Sequence, residues 1–246
     1  MRPRENPQDP LAEEGITAEL FQTEADRVRP TTETRQALRQ LARRSARSGR
    51  LSPLGYNLTI SHRRRFVWFR VAKVGTRTIL GHFARYDVPL DVNHAMRMRY
   101  PTELFEDYFK FAFVRHPLGR FVSAWRNKVV NNNYFGFDEA TLQRMRQIEN
   151  FADWTAQQDL SDLANADHHL ALQSRLIDLT QVDYLGRLET FDEDFAAVCE
   201  RIDVPASPAD PRNQSRPVAG EQPQISADLE DLVARIYRRD FQIFGY

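Results

Sequence analysis

Two segments of the sequence place cationic and hydroxyl side chains where an apolar, strand-like run gives way to a helix-like run. In the first, Lys73, Gly75, Thr76 and Thr78 follow the apolar run 66–71. The first-turn N–H groups of a helix have no partner within the helix, and the helix dipole adds partial positive charge there. Such a junction is a candidate anion site. It is not a Walker A loop, because its Lys precedes its Gly.

The second segment follows the apolar run 109–114 and is more specific. Arg115 ends the strand-like run, Pro117 suits the first position of a helix, and Ser123 shares a helical face with Arg120. The first segment taken alone also fits an ordinary turn. Two junctions of this kind together predict a ligand that carries two separate phosphate groups.

Together these residues resemble the sulfotransferases that use 3′-phosphoadenosine 5′-phosphosulfate (PAPS), specifically the carbohydrate sulfotransferase family of the sulfotransferase family 2 type. In that family a Lys-x-Gly-x-x-Thr loop binds the 5′-phosphosulfate, and an Arg-x-Pro-x-x-Arg-x-x-Ser-Ala segment binds the 3′-phosphate. The resemblance continues through segments 184–190, 213–216 and 237–246, and so covers residues 55–246. The family usually has Pro where this chain has Ala72.

The resemblance implies a set of donor-binding residues, with 3′,5′-ADP (PAP) as the product that leaves the site. The 5′-phosphosulfate would contact the first junction, the 3′-phosphate would contact the second, and one arginine of the 213–216 segment completes the set. The residues are Lys73, Gly75, Thr76, Arg77 and Thr78 at the first junction, Arg115 and Ser123 at the second, and Arg216.

Sulfuryl transfer requires a base for the acceptor hydroxyl and a positive charge for the leaving phosphate. Lys73 is the candidate for that charge. His94, between the two junctions, is the favoured base, because a histidine near pKa 6.5 suits base work at neutral pH and bacterial relatives resemble this segment. His168 and His169 are the alternative, since relatives also carry a His shortly before a Gln. A lone loop histidine is otherwise more often a packing group.

The expected reaction transfers a sulfuryl group in line and without a metal to a hydroxyl of a carbohydrate or glycoconjugate. Sulfation of a lipid or secondary-metabolite hydroxyl is one alternative, and a non-catalytic nucleotide-binding regulator is another. A kinase of the P-loop class would require the Walker loop that this sequence lacks. No metal-ligand cluster is visible in the sequence.

Composition narrows the possible partners and the compartment. The 34 basic residues equal the 34 acidic residues in number, so a general nucleic-acid binder is not indicated. The charge is uneven, however, because residues 34–86 contain 13 Arg or Lys and no Asp or Glu. This run is either a solvated face or a source of attraction for an anionic donor. The single cysteine, Cys199, fits a reducing compartment and core packing.

The sequence shows neither an apolar window of membrane-spanning length nor a signal peptide. We therefore expect a cytoplasmic, soluble bacterial member of the family. Strands that alternate with helices predict an α/β, P-loop-like three-layer fold with a mainly parallel central sheet. An extension over residues 1–50, disordered over 1–14 and then helical, precedes the catalytic domain at 51–246. The predicted strands lie near 57–60, 65–71, 109–115 and 182–187, and the predicted helices near 16–28, 32–47, 76–86, 117–131, 138–148, 190–201 and 226–240.

Overall fold

A computed structural model describes residues 51–206 and 225–246, together with the backbone of 21–24 and 27–30. In the catalytic domain two consecutive strands come first, and helical segments separate the later strands. The strands are β1 (Phe21–Glu24), β2 (Arg27–Pro30), β3 (Tyr56–Ser61), β4 (Phe66–Phe69), β5 (Val92–Met98), β6 (Phe109–Val114) and β7 (Tyr184–Arg187). The helices are α1 (Thr76–Arg85), α2 (Pro117–Trp125), α3 (Glu139–Met145), α4 (Ile148–Ala156), α5 (Gln173–Leu176), α6 (Phe191–Arg201), α7 (Ala227–Ile236) and α8 (Arg238–Phe244).

Five strands form one sheet in the order β5-β3-β4-β6-β7. β4 pairs in parallel with β6, and β6 pairs in parallel with β7, whereas β3 is antiparallel to both β4 and β5. The parallel register aligns Phe66 of β4 with Phe109 of β6. The carboxyl ends of β4 and β6 therefore lie side by side at one edge of the sheet, which brings the two predicted junctions together.

The central strands β4 and β6 are mainly apolar because the sheet is covered on both faces. On one face, Phe66 and Trp68 of β4 pack against Phe83 of α1, with ring centroids 5.5 and 6.1 Å apart. Phe83 also contacts Phe195 of α6. On the other face, Phe69 packs against the buried ring of Tyr100. The aromatic side chains thus hold β4 and β6 in the interior, so that only their ends reach solvent.

A second apolar cluster lies among the helices rather than on the sheet. It contains Phe121 and Trp125 of α2, Phe151 of α4 and Val233 of α7, all of which are buried. The rings of Phe121 and Phe151 stack with centroids 5.4 Å apart. This cluster fixes α2, whose first turn follows β6 directly.

The α/β class, with a sheet flanked by helices, is confirmed, and the four predicted strands and the helices near 76–86 and 190–201 are present. The prediction of a mainly parallel sheet is only half right, since two of the four strand pairings are antiparallel. The P-loop-like three-layer detail stays a prediction. The helix predicted over 16–28 is wrong at 21–24 and 27–30, which form an antiparallel hairpin. The polar, alternating composition there suits a hairpin as well as a helix.

Other boundaries differ in ways that matter for the site. The segment 92–98, predicted as a loop, forms β5. The helix predicted over 117–131 becomes a π-helix at 126–130, and the one over 226–240 divides at Tyr237. The predicted helix 32–47 and the predicted disorder at 1–14 lie outside the described residues. The domain division at residue 50 stays a prediction.

Within the residues that the structure covers, no helix combines the length and the apolar character needed to cross a bilayer. The cytoplasmic location stays a prediction.

Gly186 of β7 tests the packing of the sheet. A Cβ atom at this position would lie 2.4 Å from Cε1 of Phe113, closer than two carbon atoms can approach. We expect Gly186→Ala to lower the free energy of unfolding by about 1–3 kcal/mol, because Phe113 is fully buried and must shift within a packed core.

Gly81 supplies the matched control for this measurement. It lies in α1, where a Cβ would meet no atom within 4 Å. Gly81→Ala should raise stability by up to about 1 kcal/mol, since Ala is the better helix former. Urea unfolding of both variants makes the comparison, and equal effects of the two substitutions would contradict the packing described for β6 and β7.

Candidate functional site

The turn between β4 and α1 has an unusual backbone. Lys73 and Gly75 both have positive φ angles, of 73° and 86°. This left-handed conformation is strained for Lys and natural for Gly. Gly75 occupies the N-cap of α1, and the Thr76 hydroxyl donates to the carbonyl of Val71 over 3.2 Å, which closes the turn. The strained Lys73 backbone therefore lies directly before a helix N-terminus.

The junction after β6 is built differently. The Arg115 guanidinium lies over the first turn of α2, since a Cβ at Gly119 would be 3.1 Å from its Nε. The main chain of Arg115 is fixed by Gln173 of α5, whose Oε1 accepts from the Arg115 N–H while its Nε2 donates to the Arg115 carbonyl, over 3.0 and 2.8 Å. The buried Asp240 carboxylate of α8 accepts from the main-chain N–H groups of Gln173 and Ser174. The C-terminal helix thus supports the main chain of Arg115.

Positive charge is concentrated around Lys73. Burial lowers the pKa of its ammonium to about 8, and neighbouring cations add to the effect. Burial likewise lowers the pKa of Arg115. Crowded cations with lowered pKa values are typical of a site that awaits an anion. The cations that act on Lys73 are Lys128, Arg115, Arg77 and Arg120, in decreasing order of strength.

Arg120 of α2 is a buried cation that joins three parts of the chain. Its side chain is 1 % exposed. Nε donates to the carbonyl of Ala72 over 3.1 Å, Nη1 to that of Ala171 over 2.9 Å, and Nη2 to that of His168 over 3.1 Å. Ala72 directly precedes Lys73. Arg120 therefore holds the turn of Lys73 against residues 164–171, which include the adjacent His168 and His169 and are called the histidine segment below.

That segment contains a hydrogen-bonded chain of side chains. Nδ1 of His169 lies 2.8 Å from Oδ1 of Asp167, and the hydroxyl of Tyr134 donates to Oδ2 of Asp167 over 2.9 Å. The rings of His168 and His169 lie with centroids 3.9 Å apart. With Nδ1 of His169 bound to a carboxylate, its Nε2 is the nitrogen left to face other partners.

The charges of these groups follow from their surroundings. Burial and the neighbouring His169 lower the pKa of His168 to about 3, and burial also lowers the pKa of His169. Both imidazoles are therefore neutral at pH 7. Burial acts in the opposite sense on Asp167, yet hydrogen bonds from the His169 ring and main chain hold the pKa of the Asp167 carboxyl well below its usual range.

Lys128 lies in the π-helical turn at 126–130 that continues α2. Its Nζ is 3.9 Å from the centroid of the Tyr134 ring, a cation–π contact. Its charge acts on Lys73, His168 and His169. Lys128 therefore belongs to the same electrostatic site as Lys73.

His94 is half-buried on β5, not in a loop. Its strand is irregular but well anchored. The Asn93 carbonyl accepts hydrogen bonds from the Thr59 hydroxyl and, over 3.1 Å, from Nη1 of Arg70. The charge of His94 acts on His168, so the favoured base and the alternative base share one site.

Arg97, three residues after His94, connects β5 to the histidine segment. Its Nη1 donates to the carbonyl of Ala164 over 2.8 Å, and its Nη2 to that of Ala166 over 3.0 Å. Arg120 and Arg97 therefore hold the histidine segment from two sides, one from the interior and one from the surface.

Asp167, His168 and His169 offer one ligand atom each within 4.8 Å of one another, which is a possible donor set for a divalent cation. The neighbouring charges of Lys73 and Lys128 oppose cation binding, and Asp167 is already bonded to His169 and Tyr134. We assign this cluster to hydrogen bonding.

The structure brings most of the sequence-predicted residues to one edge of the sheet. Thr78 and Ser123 are half-buried on α1 and α2, Arg77 is exposed, and Arg216 lies outside the described residues. The structure adds four residues to the site that were not proposed as site residues from the sequence: Arg120, Lys128, Tyr134 and Asp167. Arg120 shares a helical face with Ser123 and occupies the second Arg of the family motif, so the sequence carried a signal for it. The rarity of Lys, which occurs at 73, 110 and 128 alone, is the signal that could have identified Lys128.

Comparison with known proteins agrees with the family resemblance of the two strand-to-helix junctions. The family model described as "Sulfotransferase family" matches residues 56–246. Carbohydrate sulfotransferase 14 of Danio rerio is 26 % identical over 218 residues, and carbohydrate sulfotransferase 12 of Mus musculus is 24 % identical over 233 residues. Each match covers 73 % of this chain, but only 56 % and 54 % of the two relatives, so the chain spans about half their length. No solved structure matches the chain significantly.

Arg120 provides a test of the interior hydrogen bonds. Arg120→Met would leave the carbonyls of Ala72, His168 and Ala171 without these donors, and each buried unsatisfied group costs about 1–3 kcal/mol. We expect the free energy of unfolding to fall by about 3 kcal/mol or more, as measured by urea denaturation.

The control is Arg146, an exposed arginine at the end of α3. Arg146→Met should change stability by no more than about 0.5 kcal/mol. Similar unfolding midpoints for the two variants would show that the Arg120 hydrogen bonds do not stabilise the fold.

Proposed function

The chain belongs to the sulfotransferase family, and from that premise we propose that it transfers a sulfuryl group from PAPS to a hydroxyl of a carbohydrate acceptor. One observation supports this most strongly. The turn of Lys73 and the first turn of α2 with Arg115 follow adjacent parallel strands and so lie beside each other. Two anion sites at neighbouring strand ends suit a nucleotide with two separate phosphates.

The residues present fit such a donor. The first-turn N–H groups of α1, which follow the left-handed Lys73 and Gly75 turn, are the proposed donors to the phosphosulfate. The Arg115 guanidinium over the start of α2 suits the 3′-phosphate, with Ser123 two turns along the same helix. Gly75, Thr76, Arg77 and Thr78 complete the first set, and Arg216 is the remaining proposed contact. PAPS supplies the activated sulfuryl group, and PAP is the product.

Lys73 is proposed to bind the phosphate that leaves. Its ammonium is half-buried and surrounded by like charges, so the free protein bears an electrostatic cost that an anionic partner relieves. As the leaving phosphate gains negative charge, this interaction strengthens in the transition state. Lys73 therefore acts on the rate as well as on binding.

His94 is proposed to remove the proton from the acceptor hydroxyl. It lies on β5, held by the bonds to Asn93, within electrostatic reach of His168. His169, whose ring is oriented by Asp167, is the specific alternative, because a histidine with a carboxylate on Nδ1 has the arrangement of an oriented base.

The acceptor class rests on the relatives, both of which are called carbohydrate sulfotransferases. We propose a carbohydrate or glycoconjugate hydroxyl. A lipid or secondary-metabolite hydroxyl is the alternative acceptor, and a nucleotide-binding regulator without turnover is the alternative function. No metal is part of the proposed reaction.

Two measurements on the purified chain test the proposal. Calorimetric titration with PAP should show binding, and Arg115→Ala should weaken it about 10- to 150-fold, since a hydrogen bond to a charged group contributes about 1.5–3 kcal/mol. Transfer of labelled sulfate from PAPS to sugars in a cell extract should give labelled products. Binding without transfer would favour the regulator, and no binding by the folded protein would contradict the proposal.

The pKa of Lys73 makes donor binding depend on pH. With a pKa of about 8, the ammonium is charged at pH 7 and loses its charge as the pH rises through about 8 in the free protein. PAP affinity of the wild type should therefore fall by about tenfold or more between pH 7 and 9.5. Lys73→Met should bind weakly at every pH in this range and should also lower kcat.

Calorimetry over this pH range and steady-state kinetics at pH 7 provide the two readouts. Arg115→Ala is the control, because it weakens binding but should keep a pH dependence caused by Lys73, shifted to higher pH since Arg115 is one of the cations that lower the Lys73 pKa. A flat wild-type profile, or a Lys73→Met variant that changes only KM, would show that Lys73 does not have this role.

The identity of the base is tested by three substitutions made separately. His94→Ala should lower kcat by about 10²- to 10⁴-fold while PAP affinity stays normal, and the fall of kcat/KM at acid pH should disappear. His168→Ala and His169→Ala should keep that acid limb. If His94→Ala turns over at a near wild-type rate while His169→Ala does not, the base is His169 and the acceptor enters from its side.

A further inference from the structure

The segment 131–137, which follows the π-helical turn, lies beside the histidine segment. Within it, Asn131, Asn132, Asn133 and Tyr134 are all exposed. The Tyr134 hydroxyl reaches Asp167, and its ring lies 5.1 Å from the ring of His169. The segment therefore connects the proposed site to the surface.

Tyr134 is exposed and yet fixed. Its side chain is 41 % exposed, which is unusual among the large apolar or aromatic residues of the described chain. Asp167 anchors its hydroxyl, Lys128 covers part of its ring at 3.9 Å, and its main-chain N–H donates to the Lys128 carbonyl over 3.0 Å. A ring already held in place loses little conformational entropy when a ligand covers it.

The turn that presents Tyr134 is itself rigid. Asn133 closes it, with Oδ1 accepting from the Phe137 N–H over 2.9 Å and Nδ2 donating to the Phe137 carbonyl over 2.6 Å. Behind the turn, Phe135 packs against Phe151 and Trp154, with ring centroids 5.7 and 5.2 Å away. The turn that carries the exposed Tyr134 ring is therefore packed against buried aromatic side chains.

We propose that segment 131–137 forms the acceptor subsite and that Tyr134 is the residue that contacts a sugar ring of the acceptor. This inference rests on the proposed function and deepens it. A sugar ring offers apolar C–H groups on its face and hydroxyls around its edge. The exposed Tyr134 ring suits the face, and the exposed amide of Asn131 suits the hydroxyls. Nδ2 of Asn132 donates to the Asn127 carbonyl over 2.7 Å, which leaves its Oδ1 to accept from a sugar hydroxyl.

The same contacts connect the proposed subsite to the residues of the donor site. Tyr134 is linked through Asp167 to His169, and Lys128 beside its ring acts electrostatically on Lys73. A sugar on this ring would thus lie between solvent and the cations that hold the donor. Tyr134 is in this view a specificity-determining residue rather than a group that moves protons.

The test uses PAP-loaded protein and three methyl glycosides as probes, those of β-glucose, β-galactose and N-acetyl-β-galactosamine, with 1-octanol as an aliphatic hydroxyl. Glycoside binding is measured by saturation-transfer NMR and, with labelled PAPS, by KM. Tyr134→Leu should raise the glycoside KM about 3- to 10-fold and weaken the saturation-transfer signal of the glycosides. Tyr134→Phe keeps the ring and should stay within about threefold of the wild type.

Ile243→Ala supplies the control, since Ile243 is a similarly exposed residue on α8, 42 % exposed and outside the site. Equal glycoside KM values for Tyr134→Leu and Ile243→Ala would overturn the subsite while leaving the function intact. Glycosides that do not bind the wild type, or transfer to 1-octanol alone, would also overturn it. If PAP does not bind, the proposed function fails, and the same NMR comparison on the unloaded wild type and variants decides the subsite.

Discussion

The guanidinium of Arg120 is the interaction on which the rest of the site depends. Its three hydrogen bonds all end on main-chain carbonyls, one before Lys73 and two in the histidine segment. A buried charge is costly unless polar groups surround it, and these carbonyls provide that environment. Because the planar fork holds three carbonyls in fixed directions, the spacing between the donor turn and the histidines cannot change without breaking it.

The charges of the site act together against the stability of the free protein. Lys73, Arg115 and Arg120 are all partly or fully removed from water, and burial lowers the pKa of each. The neighbouring aromatic sheet leaves no room for these groups to separate, because β4 and β6 are fixed by Trp68 and Phe111, which stack 5.9 Å apart. An anionic ligand removes a repulsion that the fold maintains, and this is how a rigid scaffold favours binding.

The sequence predicted the strand ends better than it predicted the surroundings of the site. The apolar runs before Lys73 and Arg115 are long and dense, and buried strands of that kind are recognisable without a partner. β5 was missed because His94 and Arg97 interrupt its apolar pattern, and its pairing with β3 is irregular. Asp167 and Tyr134 are 33 residues apart and meet only through tertiary contacts. Local sequence patterns carry no signal for two residues that are so far apart along the chain. His168 and His169, by contrast, are neighbours in the sequence and could be recognised there as a pair.

The π-helical turn at 126–130 has a consequence for how the length of this chain can vary. A π turn holds one residue more than an α turn, and each residue of an α-helix corresponds to a rotation of about 100°. Because the wide turn takes up its extra residue, the residues after it keep nearly the direction that they would have after a regular α turn one residue shorter. If the same five residues wound as an α-helix instead, the segment after residue 130 would rotate by roughly the angle of one residue. The turn of Tyr134 would then point away from the histidines, although no contacting side chain had been replaced. At this point of the fold, the winding of a single helical turn is itself a determinant of the site, and a relative that lacks one residue here would keep the same arrangement with a regular helix.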